Sequence, residues 1–224
     1  MQKISVLITG ASTGIGLAAA FELVQKGHEV FAGVRNEAAS AAVRALDQRI
    51  VPVIIDVTKP DTINEAYKAV ELMRTREFPF SLVNNAGIAV SGPIEALSMN
   101  ELRKQFDVNV FGLVETTQVF LPMIREKCGR IVNISSVNGF LVPPFLGAYS
   151  ASKFAVEAIS DALRRELLPE DIKVITIQPG PISTPIWQKG LGNKEQIRAT
   201  MNPERIGRYQ KAVDVFEAEV ELTA

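Results

Sequence analysis

The chain has 224 residues, 24 of them Lys or Arg and 25 Asp or Glu, for a formal net charge of −1. That length suits one domain with a continuous apolar core, and so balanced a charge offers no global field to attract nucleic acid or an anionic membrane surface. A lone cysteine, Cys128, excludes an intramolecular disulfide, and no run approaches the ~18 apolar residues of a membrane span, so a cytoplasmic protein acting on a small molecule is expected.

Short β-branched runs alternate with longer stretches of helical periodicity. Strands are expected near 4–8, 29–33, 51–55, 80–84, 130–135 and 172–178, with helices near 14–26, 37–46, 60–76, 99–127 and 149–168. The alternation predicts an α/β fold: a doubly wound parallel sheet of about six strands flanked by helices, with a short helical C-terminal part. Thr58 with Asp61, and Ser98 with Glu101, have the spacing of capping boxes. Pro122 predicts a kink inside 99–127. After Thr184 strand signals cease, so 179–224 reads as a substrate-side loop and peripheral helical tail of a single domain spanning 1–224.

The first strand runs into Thr9-Gly10-Ala11-Ser12-Thr13-Gly14-Ile15-Gly16. Gly10 suits a tight turn, Gly14 a close approach of backbone to pyrophosphate, and Gly16 close helix packing. The free amides of the following helix, around Ser12, Thr13 and Ile15, would bind the anion. No Lys-Ser or Lys-Thr pair follows, so a nucleotide triphosphatase is disfavoured. At the end of strand two, an acid would accept the hydrogen bonds of the adenosine ribose, whereas Val34 and Arg35 stand there instead. An arginine in that place favours a 2′-phosphate, so NADP(H) is preferred over NAD(H).

Tyr149 and Lys153 are spaced i, i+4 at a helix start, one turn apart on one face. A nearby ammonium favours the phenolate and would lower the phenol's pKa, fitting Tyr149 for general acid and base work. Alone, such a pair is an ordinary helix-surface feature. The wider pattern resembles the short-chain dehydrogenase/reductase family over residues 4 to about 186. It comprises the glycine turn, Asp56-Val57, Asn84-Asn85-Ala86-Gly87, Asn109, Ile134-Ser135-Ser136, Tyr149 to Lys153, and Pro179-Gly180-Pro181-Ile182-Ser183-Thr184.

The resemblance implies a Rossmann-type fold and metal-free hydride transfer between NADP(H) and a carbonyl or alcohol carbon. Tyr149 would be the acid/base, Lys153 its electrostatic partner and a ribose ligand, and Ser136, thirteen residues before the tyrosine, the substrate-orienting hydroxyl. Asn109 would hold a water linking Lys153 to solvent. Asp56 and Val57 would meet the adenine, Asn85, Ala86 and Gly87 the cofactor's flank, and Pro179, Gly180, Ile182 and Thr184 its carboxamide or pyrophosphate side. Each of these residue types also has an everyday use as a cap or turn former.

Between Ser136 and Tyr149 the chain is strongly apolar. Asn138 and Phe145 there, with Pro181 and Trp187 beyond strand six, complete the expected substrate pocket beside Ser136 and Tyr149. The likeness is to members acting on steroids, retinoids or other lipophilic alcohols; packing against the core or a subunit interface would explain the same composition. Family members usually continue with a further helix and a seventh strand, neither evident here, which predicts an exposed sheet edge at strand six. They commonly pair through helices corresponding to 99–127 and 149–168, implying at least a dimer, a homodimer or homotetramer. A cofactor-binding protein with an incomplete pocket and no turnover is the alternative. A serine hydrolase is excluded because the sole histidine, His28, lies at the start of strand two, where a surface position is expected.

Overall fold

The computed structural model describes residues 2–182, 186 and 199–223. Its centre is a six-stranded parallel sheet of order β3-β2-β1-β4-β5-β6. The strands are β1 Ser5–Ile8, β2 Glu29–Val34, β3 Ile50–Ile54, β4 Phe80–Asn84, β5 Arg130–Ile134 and β6 Lys173–Ile177. Strand order reverses between β1 and β4, paired with Leu7 opposite Leu82, and a crevice opens at the carboxyl ends of such neighbours.

The period of two along each strand divides the core. Leu7 and Phe31 point into one layer with Phe80, Phe120 and Ile131, while Val6, Ile8, Val30 and Ala32 enter the other. Helices α3 Pro60–Met73 and α5 Gly112–Arg125 cover the first layer through Ile63, Val70, Phe120, Met123 and Ile124. Helices α1 Gly14–Gln25 and α2 Glu37–Leu46 cover the second through Ala20, Val24 and Val43. Because both faces are covered, β1 is buried at every position, which is why its sequence is apolar rather than alternating.

Several local expectations change. Ser98 does cap α4 Met99–Phe106, accepting the Glu101 N–H at 3.3 Å. Thr58 caps nothing: α3 begins at Pro60, whose fixed φ suits a first turn, so Lys59 and not Thr58 stands at the cap position, and the Thr58 hydroxyl donates to Asp56 Oδ1 at 2.7 Å. The segment expected as one kinked helix is interrupted at a π turn, Asp107–Phe111, and α5 runs through Pro122 to Arg125. His28 is not a surface residue. It is buried, with Nδ1 accepting the Ile4 N–H at 3.3 Å at the opposite end of the sheet from the crevice.

Helix α6 Gly147–Glu166 leads towards β6, whose only partner among the described strands is β5. Ile175 and Ile177 are 39% and 46% exposed, in keeping with the expected edge. The tail is helical, with α7 Pro203–Gly207 and α8 Gln210–Thr223, yet it is more than peripheral. Met201 and Ile206 pack with Val90 and Ala96 beyond β4, and the Phe145 ring meets those of Tyr209 and Phe216 edge to face. These contacts bury apolar surface that α7 and α8 could not cover alone.

Candidate active site

At the carboxyl end of β1, Gly10 and Gly14 have φ of +65° and +59°, the left-handed region that side chains resist. A Cβ on Gly16 would come within 2.4 Å of Asn85 Nδ2 and 2.8 Å of the Gly10 carbonyl. Asn85 ties the turn together, donating to the Thr9 and Gly10 carbonyls at 2.9 and 3.1 Å, while Thr9 Oγ1 accepts the N–H groups of Asn85 and Ala86, each at 3.0 Å. The turn is therefore held open from behind. Its amides, at the start of α1, face a cleft of about 780 Å3.

That cleft gathers most of the residues expected from sequence: Gly10, Ser12, Thr13, Gly14, Ile15, Arg35, Asp56, Val57, Asn85, Ala86, Gly87, Ser136, Tyr149, Lys153, Pro179, Gly180 and Ile182. Gly16 and Asn109 lie behind its wall. Asn138, Phe145 and Pro181 are not among the lining residues: Asn138 is buried beneath Ser136, and Phe145 packs on the tail. Thr184 and Trp187 lie outside the described residues. Glu101, Lys104 and Val108, on one face of the helical segment, and Ile88, Ala89, Val90 and Ile186 also line the cleft. Ile186 belongs to the apolar stretch beyond strand six that already points to a pocket; sequence reasoning missed the others, although the i, i+3, i+7 spacing of the first three was a usable signal.

The fit to a dinucleotide rests on the positive-φ glycines and on Asp56 beside Arg35. Burial pushes the Asp56 carboxyl up, but hydrogen bonds from the Thr58 hydroxyl and N–H, with the charges of Lys59 and Arg35, leave it below the usual range. Asp56 is thus an acceptor, and Arg35 stands exposed at the same end of the cleft.

At the other end, α6 presents Tyr149 and Lys153, 5% and 6% exposed. Lys153 Nζ donates to the Ile134 carbonyl at 2.8 Å and lies 5.7 Å from the Tyr149 ring centroid. Burial lowers the Lys153 pKa to about 8, opposed by the negative charge of Glu157. Burial also raises the Tyr149 pKa, and a hydrogen bond with Ser136 pulls the other way. The phenol is raised rather than lowered as expected, because desolvation of the phenolate dominates.

Ser136, the residue ahead of a single 3₁₀ turn, accepts the Asn138 N–H at 3.1 Å, and Asn138 Nδ2 donates to Ser150 Oγ at 3.2 Å. The Val137 N–H donates to the Pro179 carbonyl at 3.0 Å, which sets the segment after β6 beside Ser136. Asn109 is bonded on three sides by its side chain. Its Oδ1 accepts the Ile88 N–H at 2.9 Å, and Nδ2 donates to the Ile88 carbonyl and to Ser152 Oγ at 3.0 and 3.1 Å.

Among the described residues no group of three or more His, Cys, Asp or Glu side chains is placed to hold a metal, and no helix is long and apolar enough to cross a membrane.

A family model described as short chain dehydrogenase matches residues 5–195. The 3-amino-tetrahydro-pyrrolizinone reductase of Xenorhabdus hominickii is 39% identical over 220 residues, covering 96% of this chain and 74% of that protein. The NADPH-dependent 3-dehydrocapnine reductase of Ornithobacterium rhinotracheale is 37% identical, covering 94% of this chain and 77% of that one. Among solved structures, ElxO with NADP bound superposes with a TM-score of 0.76 at 29% identity, covering 87% of this chain and 80% of that chain. With a glycine turn, a Tyr-Lys pair and a serine assembled in one cleft of a parallel sheet, the chain belongs to the short-chain dehydrogenase/reductase family of oxidoreductases.

Proposed function

We propose that the protein reduces a carbonyl compound to an alcohol with NADPH, and runs the reverse reaction on the alcohol with NADP+. The observation that carries this is the convergence of Ser136, Tyr149 and Lys153 in the cleft that also contains the glycine turn. Gly10 to Ile15 would hold the pyrophosphate, Asp56 and Val57 the adenine, Arg35 the 2′-phosphate and Lys153 the nicotinamide ribose. Support for NADP(H) over NAD(H) comes from Arg35 in the place of an acid, from the NADPH-dependent relative and from the NADP-bound neighbour. Bound there, the nicotinamide supplies the hydride that the carbonyl carbon takes up.

The chain's own residues manage the oxygen. Ser136 and Tyr149 donate hydrogen bonds to the carbonyl oxygen, stabilising the charge that develops on it, and Tyr149 then transfers its proton to complete the alcohol. Burial keeps Tyr149 in its acid form at neutral pH, which suits reduction. Lys153, charged below about pH 8, opposes the negative charge left on the phenolate until solvent restores the proton. Asn109 serves this arrangement by fixing Ile88 against Ser152.

The cleft's apolar walls, Ile88, Val90, Val108, Ile182 and Ile186, favour a substrate with an apolar body. Exposed Phe111 and Phe154, beside α5 and on α6, favour assembly through those helices as at least a dimer, and a cytoplasmic location accords with the single free cysteine. The test is NADPH titration followed by turnover of a panel of aldehydes and ketones by the native chain and by Tyr149→Phe. The variant should bind NADPH as the native chain does and lose roughly 10²–10⁴ in kcat. Equal activity in both would defeat the mechanism, and NADPH binding without turnover of any panel member would make this a cofactor-binding protein.

A further inference from the structure

Gln105 stands on α4, one turn before Asn109, and is completely buried. Its Oε1 accepts the Val90 N–H at 2.7 Å, and its Nε2 donates to the Ile88 carbonyl at 2.8 Å and to Ser152 Oγ at 3.4 Å. Asn109 grips the same Ile88 through both its N–H and its carbonyl and reaches the same Ser152 hydroxyl. Ser152 in turn donates to the Tyr149 carbonyl at 2.6 Å. Two side-chain amides, one on α4 and one in the π turn that follows it, thus join two parts of the cleft: the wall at Ile88 and Val90, and the first turn of α6, which carries Tyr149 and Lys153.

We propose that Gln105 is a positioning residue for the reaction: through Ser152 it sets the distance between the cleft wall at 88–90 and the Tyr149-Lys153 turn. The proposal rests on the oxidoreductase reading above. Packing alone does not call for a glutamine here, since an apolar side chain of similar volume would fill the space; what only an amide does is accept from Val90 while donating to Ile88 and Ser152. The Ile88 carbonyl and the Ser152 hydroxyl keep Asn109 if Gln105 is lost, whereas the Val90 N–H loses its acceptor. The wall at Val90 is therefore the part that loosens. Misplacement of reacting groups by ~1 Å costs as much as ~10²-fold in rate, so a loosened wall acts on turnover.

Gln105→Leu and Ser152→Ala, singly and together, test this. In the ligand-free chain, Gln105→Leu should speed hydrogen exchange at the Val90 amide about tenfold or more while the β1 and β4 amides keep native protection. With NADPH and a carbonyl that the native chain reduces, kcat should fall about tenfold or more with KM changed less than about threefold. If the two residues act through one clamp, the double variant loses little more than the worse single variant, whereas independent packing defects multiply. Should Gln105→Leu fold too poorly to assay, Gln105→Asn, which keeps the amide but falls short by one methylene, gives the same readings. Native exchange at Val90, an unchanged kcat, or losses that multiply would each overturn the proposal. A native chain that reduces nothing would defeat the oxidoreductase reading instead, and the Val90 exchange would still judge the clamp.

Discussion

The two ends of the cleft are built from different materials. The nucleotide end is mostly backbone: left-handed glycines at Gly10 and Gly14, amides at the start of α1, and Asn85 and Thr9 bracing them from behind. The reacting end is made of side chains brought from afar, with Ser136 after β5, Tyr149 and Lys153 on α6, and Val90 backed by Met201 of the tail. Backbone conformation is a local property and tolerates little substitution. Side-chain convergence depends on how helices are docked, and it can be retuned by residues that never touch a ligand.

Substitutions can separate these two kinds of construction. The largest effect is expected at the nucleotide end from Gly10→Val, which would place a β-branched residue at φ +65° with its Cβ 2.8 Å from the Ala86 Cα. Strain of about 3 kcal/mol there should weaken NADPH binding by roughly a hundredfold in a fluorescence titration. Arg35→Asp should come next, weakening NADPH about tenfold or more through loss of a charge-assisted contact, with little effect on NADH. Equal effects on both cofactors would show Arg35 to be only an exposed loop residue.

At the reacting end, pH is the sharper probe. The Lys153 pKa is lowered to about 8, so the residue is charged below that pH and neutral above it. Carbonyl reduction should therefore hold steady near neutrality and fall as pH rises through about 8, while Tyr149, raised by burial, remains protonated over the same range. A rate that is flat from pH 7 to 9 would remove Lys153 from the mechanism. The smallest effect is expected from Met201→Ala, which loosens the tail against Val90 and Ala96. It should raise KM for the carbonyl severalfold and leave NADPH affinity unchanged; a change in cofactor affinity instead would mean that the tail braces both ends.

Much of the fold was legible because its signals are periodic or conformational. The six strands could be placed to within a residue or two because each is a short β-branched, mostly apolar run set between helical stretches. The glycine turn was legible because only glycine accepts its dihedral angles. Less local features were misjudged. Thr58 has capping-box spacing, yet α3 starts at Pro60 and leaves it one residue short of the cap, and spacing does not fix a helix start to within one residue. Pro122 looked like the irregularity of the long helix, while the break lies at Asp107–Phe111 beside Asn109. Asn138 and Phe145 were assigned to the pocket from their place in the chain, but the first is spent on Ser136 and Ser150 and the second on Tyr209 and Phe216.

The sequence by itself determined the order of strands and helices, the dinucleotide turn and the residue types that make proton transfer possible, because each is encoded within a few consecutive positions. Only the tertiary structure decided that Asn109 spends its amide on Ile88 and Ser152, that Gln105 joins it there, and that burial rather than Lys153 governs the Tyr149 pKa. Desolvation and hydrogen-bond competition depend on everything packed around a group, and most of that comes from distant parts of the chain.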